Sequence, residues 1–135
     1  MFSEKINYAL SAIFELAKNE FKGYIQIKEI ADAQNIPQKF LEKLLINLKR
    51  AGLVESMRGA QGGYKLAKPA RKIKVIDILR GIEGTISLLD YSKNSIVLQG
   101  FWKEVESKFQ KLFEKNIENL VQEDKRIQNK LSFQI

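Results

Sequence analysis

Cysteine and histidine are both missing from this 135-residue chain. Their absence excludes disulfides, thiol chemistry, thiolate or imidazole metal sites, cysteine-ligated iron–sulfur clusters and every acid–base mechanism that turns on an imidazole. Long hydrophobic runs are missing too: no stretch of about 18 apolar residues occurs, so no segment is expected to cross a bilayer. The opening Met1-Phe2-Ser3-Glu4-Lys5 has no signal-peptide pattern, and the chain reads as cytoplasmic. No paired acidic motif with a plausible pocket replaces the absent histidine and cysteine, so an enzyme is not expected. The glycine cluster at 59–63 lacks a Gly-Lys-Ser/Thr ending and opens a strand, not a helix, which argues against a phosphate cradle.

What is present is an apolar fraction of 44%, enough for the core of one compact domain. Charge is unevenly placed. Residues 1–75 hold 14 Lys+Arg and 7 Asp+Glu, whereas residues 76–135 hold 9 of each, so the whole net charge of +7 lies in the first part. A basic domain joined to a neutral segment suggests a polyanion-binding module with an appended element.

Ile6, Ala9, Leu10, Ile13, Phe14, Leu16 and Ala17 recur at three- and four-residue steps and predict an amphipathic helix, with Ser3 as N-cap and Gly23 as stop signal. Ile25 and Ile27 suggest a very short extended piece. Residues 28–34 read as a two-turn helix, interrupted by Asn35-Ile36-Pro37, with Pro37 opening the next helix over 37–50. On that helix Phe40, Leu41, Leu44, Leu45 and Leu48 share one side. Gln38, Lys39, Glu42, Lys43, Lys49 and Arg50 share the other, together with Ile46, which the periodicity leaves unexplained. Two short helices joined by a tight turn, the second basic on its outer face, describe a helix-turn-helix.

A hairpin follows, with strands at 53–58 and 63–67 about a turn at Gly59-Ala60-Gln61-Gly62 and Arg58 at its tip. The expected fold is therefore mainly α with a small β-hairpin wing: a winged helix-turn-helix plus a long C-terminal dimerisation helix. Val75, Ile76, Ile78, Leu79 and Ile82 mark a short helix ending at Gly84. Residues 85–95 read as a connecting loop in which Ile86, Leu88 and Leu89 need cover. Phe101, Trp102, Val105, Phe109, Leu112, Phe113, Ile117, Leu120 and Val121 then mark one face of a helix over 96–121. An aromatic stripe trailing a domain that already has a core calls for a partner surface, most simply the same helix of a second subunit. Residues 122–135 read as a polar tail, with Ile127, Leu131 and Ile135 hinting at a frayed continuation. The domain division is thus 1–84, 85–95, 96–121 and 122–135.

Tyr8-Ala9-Leu10, Ile27-Lys28-Glu29-Ile30-Ala31, Ile36-Pro37-Gln38-Lys39-Phe40-Leu41-Glu42-Lys43-Leu44-Leu45, Leu48 to Val54 and Arg58-Gly59-Ala60-Gln61-Gly62-Gly63-Tyr64-Lys65-Leu66 occur in an order that resembles a known family. It is that of the bacterial winged-helix regulators that include IscR, NsrR and CymR. Asp77 to Gly84 and Trp102 fit as well, and the resemblance covers residues 1 to about 121. It implies a homodimeric transcription factor, usually a repressor, with crossed C-terminal helices, a recognition helix in the major groove and a wing arginine in the minor groove. By position the recognition residues are Gln38, Lys39, Glu42 and Lys43, and the wing arginine is Arg58. Cluster-binding members carry three cysteines between the short and long helices. Here the segment Thr85 to Phe101 has none, which implies no cofactor and places the chain nearest the cysteine-free, CymR-like branch.

These residue types suit the task. Gln38 can pair bidentately with adenine, Lys39 and Lys43 can reach guanine or phosphate, and Glu42 can accept from cytosine while repelling misplaced phosphate. Arg58 beside a glycine-rich tip suits a narrow minor groove. Ser3, Lys5, Tyr8, Lys28, Lys65 and Lys68 are candidate phosphate contacts. The expected partners are double-stranded DNA and a second subunit. A regulatory protein or small-molecule effector acting on residues 85–101 is left open, as is a protein–protein adaptor role under a partner enzyme of cysteine metabolism.

Overall fold

The computed structural model describes residues 3–84, 87 and 89–133. Met1, Phe2, Ile86, Leu88 and Ile135, which the sequence reading invoked, lie outside them. The elements run α1 (Glu4–Lys18), α2 (Ile27–Gln34), α3 (Gln38–Arg50), β1 (Val54–Met57), β2 (Gly63–Leu66), a 3-10 turn (Ala70–Lys72), α4 (Val75–Glu83), α5 (Ile96–Leu112) and α6 (Ile117–Phe133).

The core is built from the apolar faces that the helical periodicity marks. α1 contributes Ile6, Ala9, Ala12, Ile13 and Leu16; α2 contributes Ile30; α3 contributes Leu41, Leu44, Leu45 and Leu48; α4 contributes Val75, Ile78 and Leu79. Burying each larger aliphatic side chain is worth about 1.5–3 kcal/mol, so the four leucines of α3 fix which side of that helix faces outward. β1 and β2 form a two-stranded antiparallel sheet in the register Val54↔Leu66, Glu55↔Lys65, Ser56↔Tyr64 and Met57↔Gly63. Ile25, read as extended, pairs with Tyr64 as an isolated bridge, and its N–H and C=O each bond Tyr64 at 2.8 Å. Ile27 instead opens α2.

The C-terminal region departs from the single helix expected over 96–121. α5 stops at Leu112, and α6 starts at Ile117 and continues to Phe133, through most of the segment read as a polar tail. Two local causes make the break. The first-turn amides of a helix have no partner inside it, and those of α4 are served by the turn after α5: Val75 N–H donates to Lys115 C=O at 3.0 Å and Ile76 N–H to Phe113 C=O at 2.7 Å. Carbonyls turned toward α4 cannot continue α5. Asn116 then starts α6, its Oδ1 accepting from the Asn119 N–H at 2.9 Å, as an N-cap does. Ile117 also donates its N–H to Ile73 C=O at 2.9 Å.

α6 returns to the body and packs on α1 and the 3-10 turn. Ile117 is fully buried there, Val121 nearly so, and Leu120 and Phe113 pack against the same core. Phe113, Ile117 and Leu120, assigned by periodicity to a subunit seam, thus pack on the core of their own chain. α5 has no buried residue at all.

Candidate nucleic-acid interface

The turn between α2 and α3 is held by conformation and by one buried side chain. Asn35 adopts the left-handed region (φ 53°, ψ 47°), which asparagine tolerates better than most residues. Ile36 N–H donates to Ala31 C=O at 3.0 Å, and the Ile36 side chain is buried. Pro37 lies one residue earlier than expected, as the N-cap of α3, with its C=O accepting from Leu41 N–H at 3.0 Å.

With Leu41, Leu44, Leu45 and Leu48 inside, α3 exposes Gln38, Lys39, Glu42, Lys43, Ile46, Lys49 and Arg50. All four predicted recognition residues are therefore on the open side. Among the described residues no ion pair engages Glu42, so it is not spent on a helical lysine partner. Phe40 differs from the sequence reading: it is 39% exposed at the edge of the buried side, and its ring meets Tyr8 edge-on at 5.4 Å. Tyr8 is thereby tied to the start of α3, with Lys5 exposed one turn earlier on α1.

Several contacts attach the wing to the helices and to the segment before α2, among them the Tyr24 hydroxyl, which donates to Glu55 Oε1 of β1 at 3.4 Å. Lys49 Nζ donates to Ser56 Oγ at 2.7 Å, joining α3 to β1. Gln26 Nε2 donates to Ala60 C=O at 3.3 Å, joining the residue before α2 to the wing tip. The Ile25–Tyr64 bridge adds a backbone joint. Gly63 (φ +141°) is required by this joint, because a Cβ there would lie 2.3 Å from Ile25 O. Arg58, at the start of the turn, is exposed.

The remaining candidates divide. Lys28 is exposed near the start of α2. Ser3 is exposed, and its Oγ donates to Glu83 Oε1 at 3.4 Å. Lys65 is already engaged, paired with Glu55 at 3.2 Å and placed 4.8 Å from the Tyr24 ring centroid, which makes it the weakest candidate for phosphate. Periodicity could not show this, since the pairing follows from strand register: Glu55 lies directly opposite Lys65.

On α5, Phe101 is 53% and Leu112 is 76% exposed, while Trp102, Val105 and Phe109 are half-buried. The segment before it folds onto the first turns of α5 through Gln99, whose Nε2 donates to Asn94 C=O at 2.7 Å and to Ser92 C=O at 3.2 Å. Tyr91 donates its hydroxyl to Glu106 at 3.0 Å. Partial burial, with the Glu106 carboxylate alongside, raises the Tyr91 hydroxyl pKa above its ordinary value. Hydrogen bonds from the Ser92 backbone and side chain hold the Asp90 carboxyl below its usual value. Among the described residues no helix is long and apolar enough to cross a membrane.

A helix-turn-helix whose second helix turns a polar face outward, followed by a hairpin tied to both helices, defines the winged helix-turn-helix class of transcriptional regulators. A sequence model of the Rrf2 family, described as an iron-dependent transcriptional regulator, matches residues 2–123. The chain belongs to the Rrf2 family. It is 40% identical over 89 residues to the transcriptional regulator IscR of Cereibacter sphaeroides, covering 64% of this chain and 57% of that protein. The chain spans about three fifths of the length of such relatives. Among solved structures, T. potens IscR superposes with a TM-score of 0.82 at 35% identity, covering 95% of this chain and 90% of that one. CymR, the global cysteine regulator of B. subtilis, superposes with a TM-score of 0.85 at 32% identity, covering 90% and 96%. These relatives are named as transcriptional regulators and not as enzymes.

The family description raises the question of iron. Protein-bound iron–sulfur clusters are held by cysteine thiolates, with histidine as the occasional substitute. This chain has neither residue, and among the described residues no group of three or more acidic, His or Cys side chains is placed to hold a metal ion. The donor set does not fit such a group.

Proposed function

We propose that this chain is a sequence-specific DNA-binding transcriptional regulator, acting as a homodimeric repressor on an inverted repeat and without an iron–sulfur cluster. The observation that carries the reading is the outward face of α3: Gln38, Lys39, Glu42 and Lys43 are all exposed on a helix whose other side is locked into the core. An α-helix fits the major groove of B-DNA, and its first turns approach the base edges most closely. Gln38, Lys39, Glu42 and Lys43 occupy the first two turns. Arg58 at the tethered wing tip would enter the adjoining minor groove, and Lys5 and Lys28 would hold phosphates.

The second subunit is supported by α5, whose apolar positions Phe101, Trp102, Val105 and Leu112 find no deep burial within the chain. Pairing through α5 would set two recognition helices about one turn of DNA apart. Occupation of a promoter by such a dimer would exclude polymerase.

The test is selection of sheared genomic DNA by the purified protein, sequenced and repeated across salt concentrations. A short inverted repeat is expected. Gln38→Ala should cost about 1–3 kcal/mol and relax specificity at one position of each half-site, and Arg58→Ala should weaken retention at the flanking A·T-rich positions. Uniform, steeply salt-dependent recovery without a motif would mean that only phosphates are read, and would overturn the proposal.

A further inference from the structure

Ile46 is the one residue of the outward face of α3 that a solvated or purely phosphate-binding surface does not call for. At about 100° per residue, it falls near the middle of the arc spanned by Gln38, Glu42, Lys39 and Lys43, with Lys49 and Arg50 on the same side. Its side chain is 55% exposed although the helix has a complete apolar face elsewhere. Beside it lies an open, mainly apolar depression lined by Phe40, Leu44, Ile46 and Asn47 and rimmed by Lys5 and Lys43. An apolar centre with Lys5 and Lys43 at its rim matches a surface with negative edges and an apolar point between them. In the DNA major groove the only apolar group that a base edge presents is the C5-methyl of thymine, flanked by phosphates on both strands.

Resting on the proposed reading of DNA by α3, we infer that Ile46 is a specificity-determining residue that selects thymine by packing on its C5-methyl group. Ile46 is two helical turns beyond Gln38, about 12 Å along the axis at 1.5 Å per residue. For a helix lying in the major groove, that span separates the two contacts by a few base pairs. The selected thymine therefore lies a few positions from the base that Gln38 reads, in each half-site. Lys5 and Lys43 would meet the phosphates at the rim of the same contact.

The experiment uses the intact chain and the operator recovered by selection, with each thymine replaced singly by uracil, which removes the methyl and nothing else. For the wild type, one uracil per half-site should lower affinity about three- to fivefold, the effect of losing one buried methyl. Ile46→Ala should bind the thymine operator more weakly by a similar factor and be indifferent to that uracil, while Ile46→Val keeps the sensitivity. Ile46 is exposed, so its truncation leaves the core intact. Uracil effects of equal size in the wild type and Ile46→Ala, or no uracil-sensitive position at all, would overturn the inference. If Gln38→Ala and Glu42→Ala shift the selected motif in that case, only the methyl contact has failed and Ile46 is left to a protein partner. If they too leave the motif unchanged, the reading of DNA by α3 has failed with it.

Discussion

A single added carbon at position 63 would bring Cβ within 2.3 Å of the Ile25 carbonyl oxygen, in a backbone conformation that side chains rarely adopt. Gly63→Ala is therefore expected to cost about 1–3 kcal/mol through strain, and to loosen the wing from the helices more than it loosens the core. Hydrogen exchange of the Ile25 and Tyr64 amides, which exchange bonds across this joint, is the measurement: both should lose protection while the α3 amides keep theirs. Other residues are legible in the sequence itself. The leucines of α3 and the glycine-tipped hairpin follow from spacing alone, as does the exposure of Gln38, Lys39, Glu42 and Lys43. Phe40 and Lys65 were not legible in that way. Phe40 sits at the boundary of its helix face, where the contact with Tyr8 decides its exposure, and the engagement of Lys65 depends on which residue lies opposite it in the sheet.

Among the elements, the helices and strands of the first 84 residues match their sequence signals to within a residue or two, except that α1 ends at Lys18 with Asn19 as its C-cap, well before the expected stop at Gly23. The split between α5 and α6 does not. The three- and four-residue apolar steps run without interruption from Trp102 to Leu120, because Phe113, Ile117 and Leu120 are apolar for a different reason, namely packing on their own core. Periodicity records that a face is apolar and not what covers it. A local signal was available in Asn116, a favoured N-cap residue followed by Glu118 in the first turn of α6. Asn116→Ala removes that cap and should lower stability by about 1 kcal/mol, or about 3–5 °C in Tm for a chain of this size. The thermal scan should be run at fixed protein concentration, since dimerisation would shift Tm by mass action.

For the whole molecule, the division of labour between the two C-terminal helices carries the prediction. α6 contributes to the protomer core through Ile117 and Val121, whereas α5 exposes Phe101 and Leu112. Phe101→Glu should thus leave the monomer fold and its far-UV circular dichroism unchanged, because Phe101 lies outside the core and its ring meets that of its α5 neighbour Trp102 edge-on at 5.2 Å. It should shift the sedimentation equilibrium from dimer to monomer and abolish binding to the two-half operator, with single half-sites still bound weakly. A dimer of undiminished stability would refute α5 as the seam.

The turn at 113–116 joins α5 to the head through short backbone hydrogen bonds to Val75 and Ile76, with Ile117 bonded to Ile73 alongside. A slack tether would let each head search for its own half-site. In the dimer proposed above, this joint would instead make α5 a stiff ruler, graduated by its own length and fixed at the end nearest the head. In the proposed dimer the gap between half-sites then becomes as much a part of the address as the bases themselves. An operator with the right letters and one extra base pair, turned by about 34°, would be a different word.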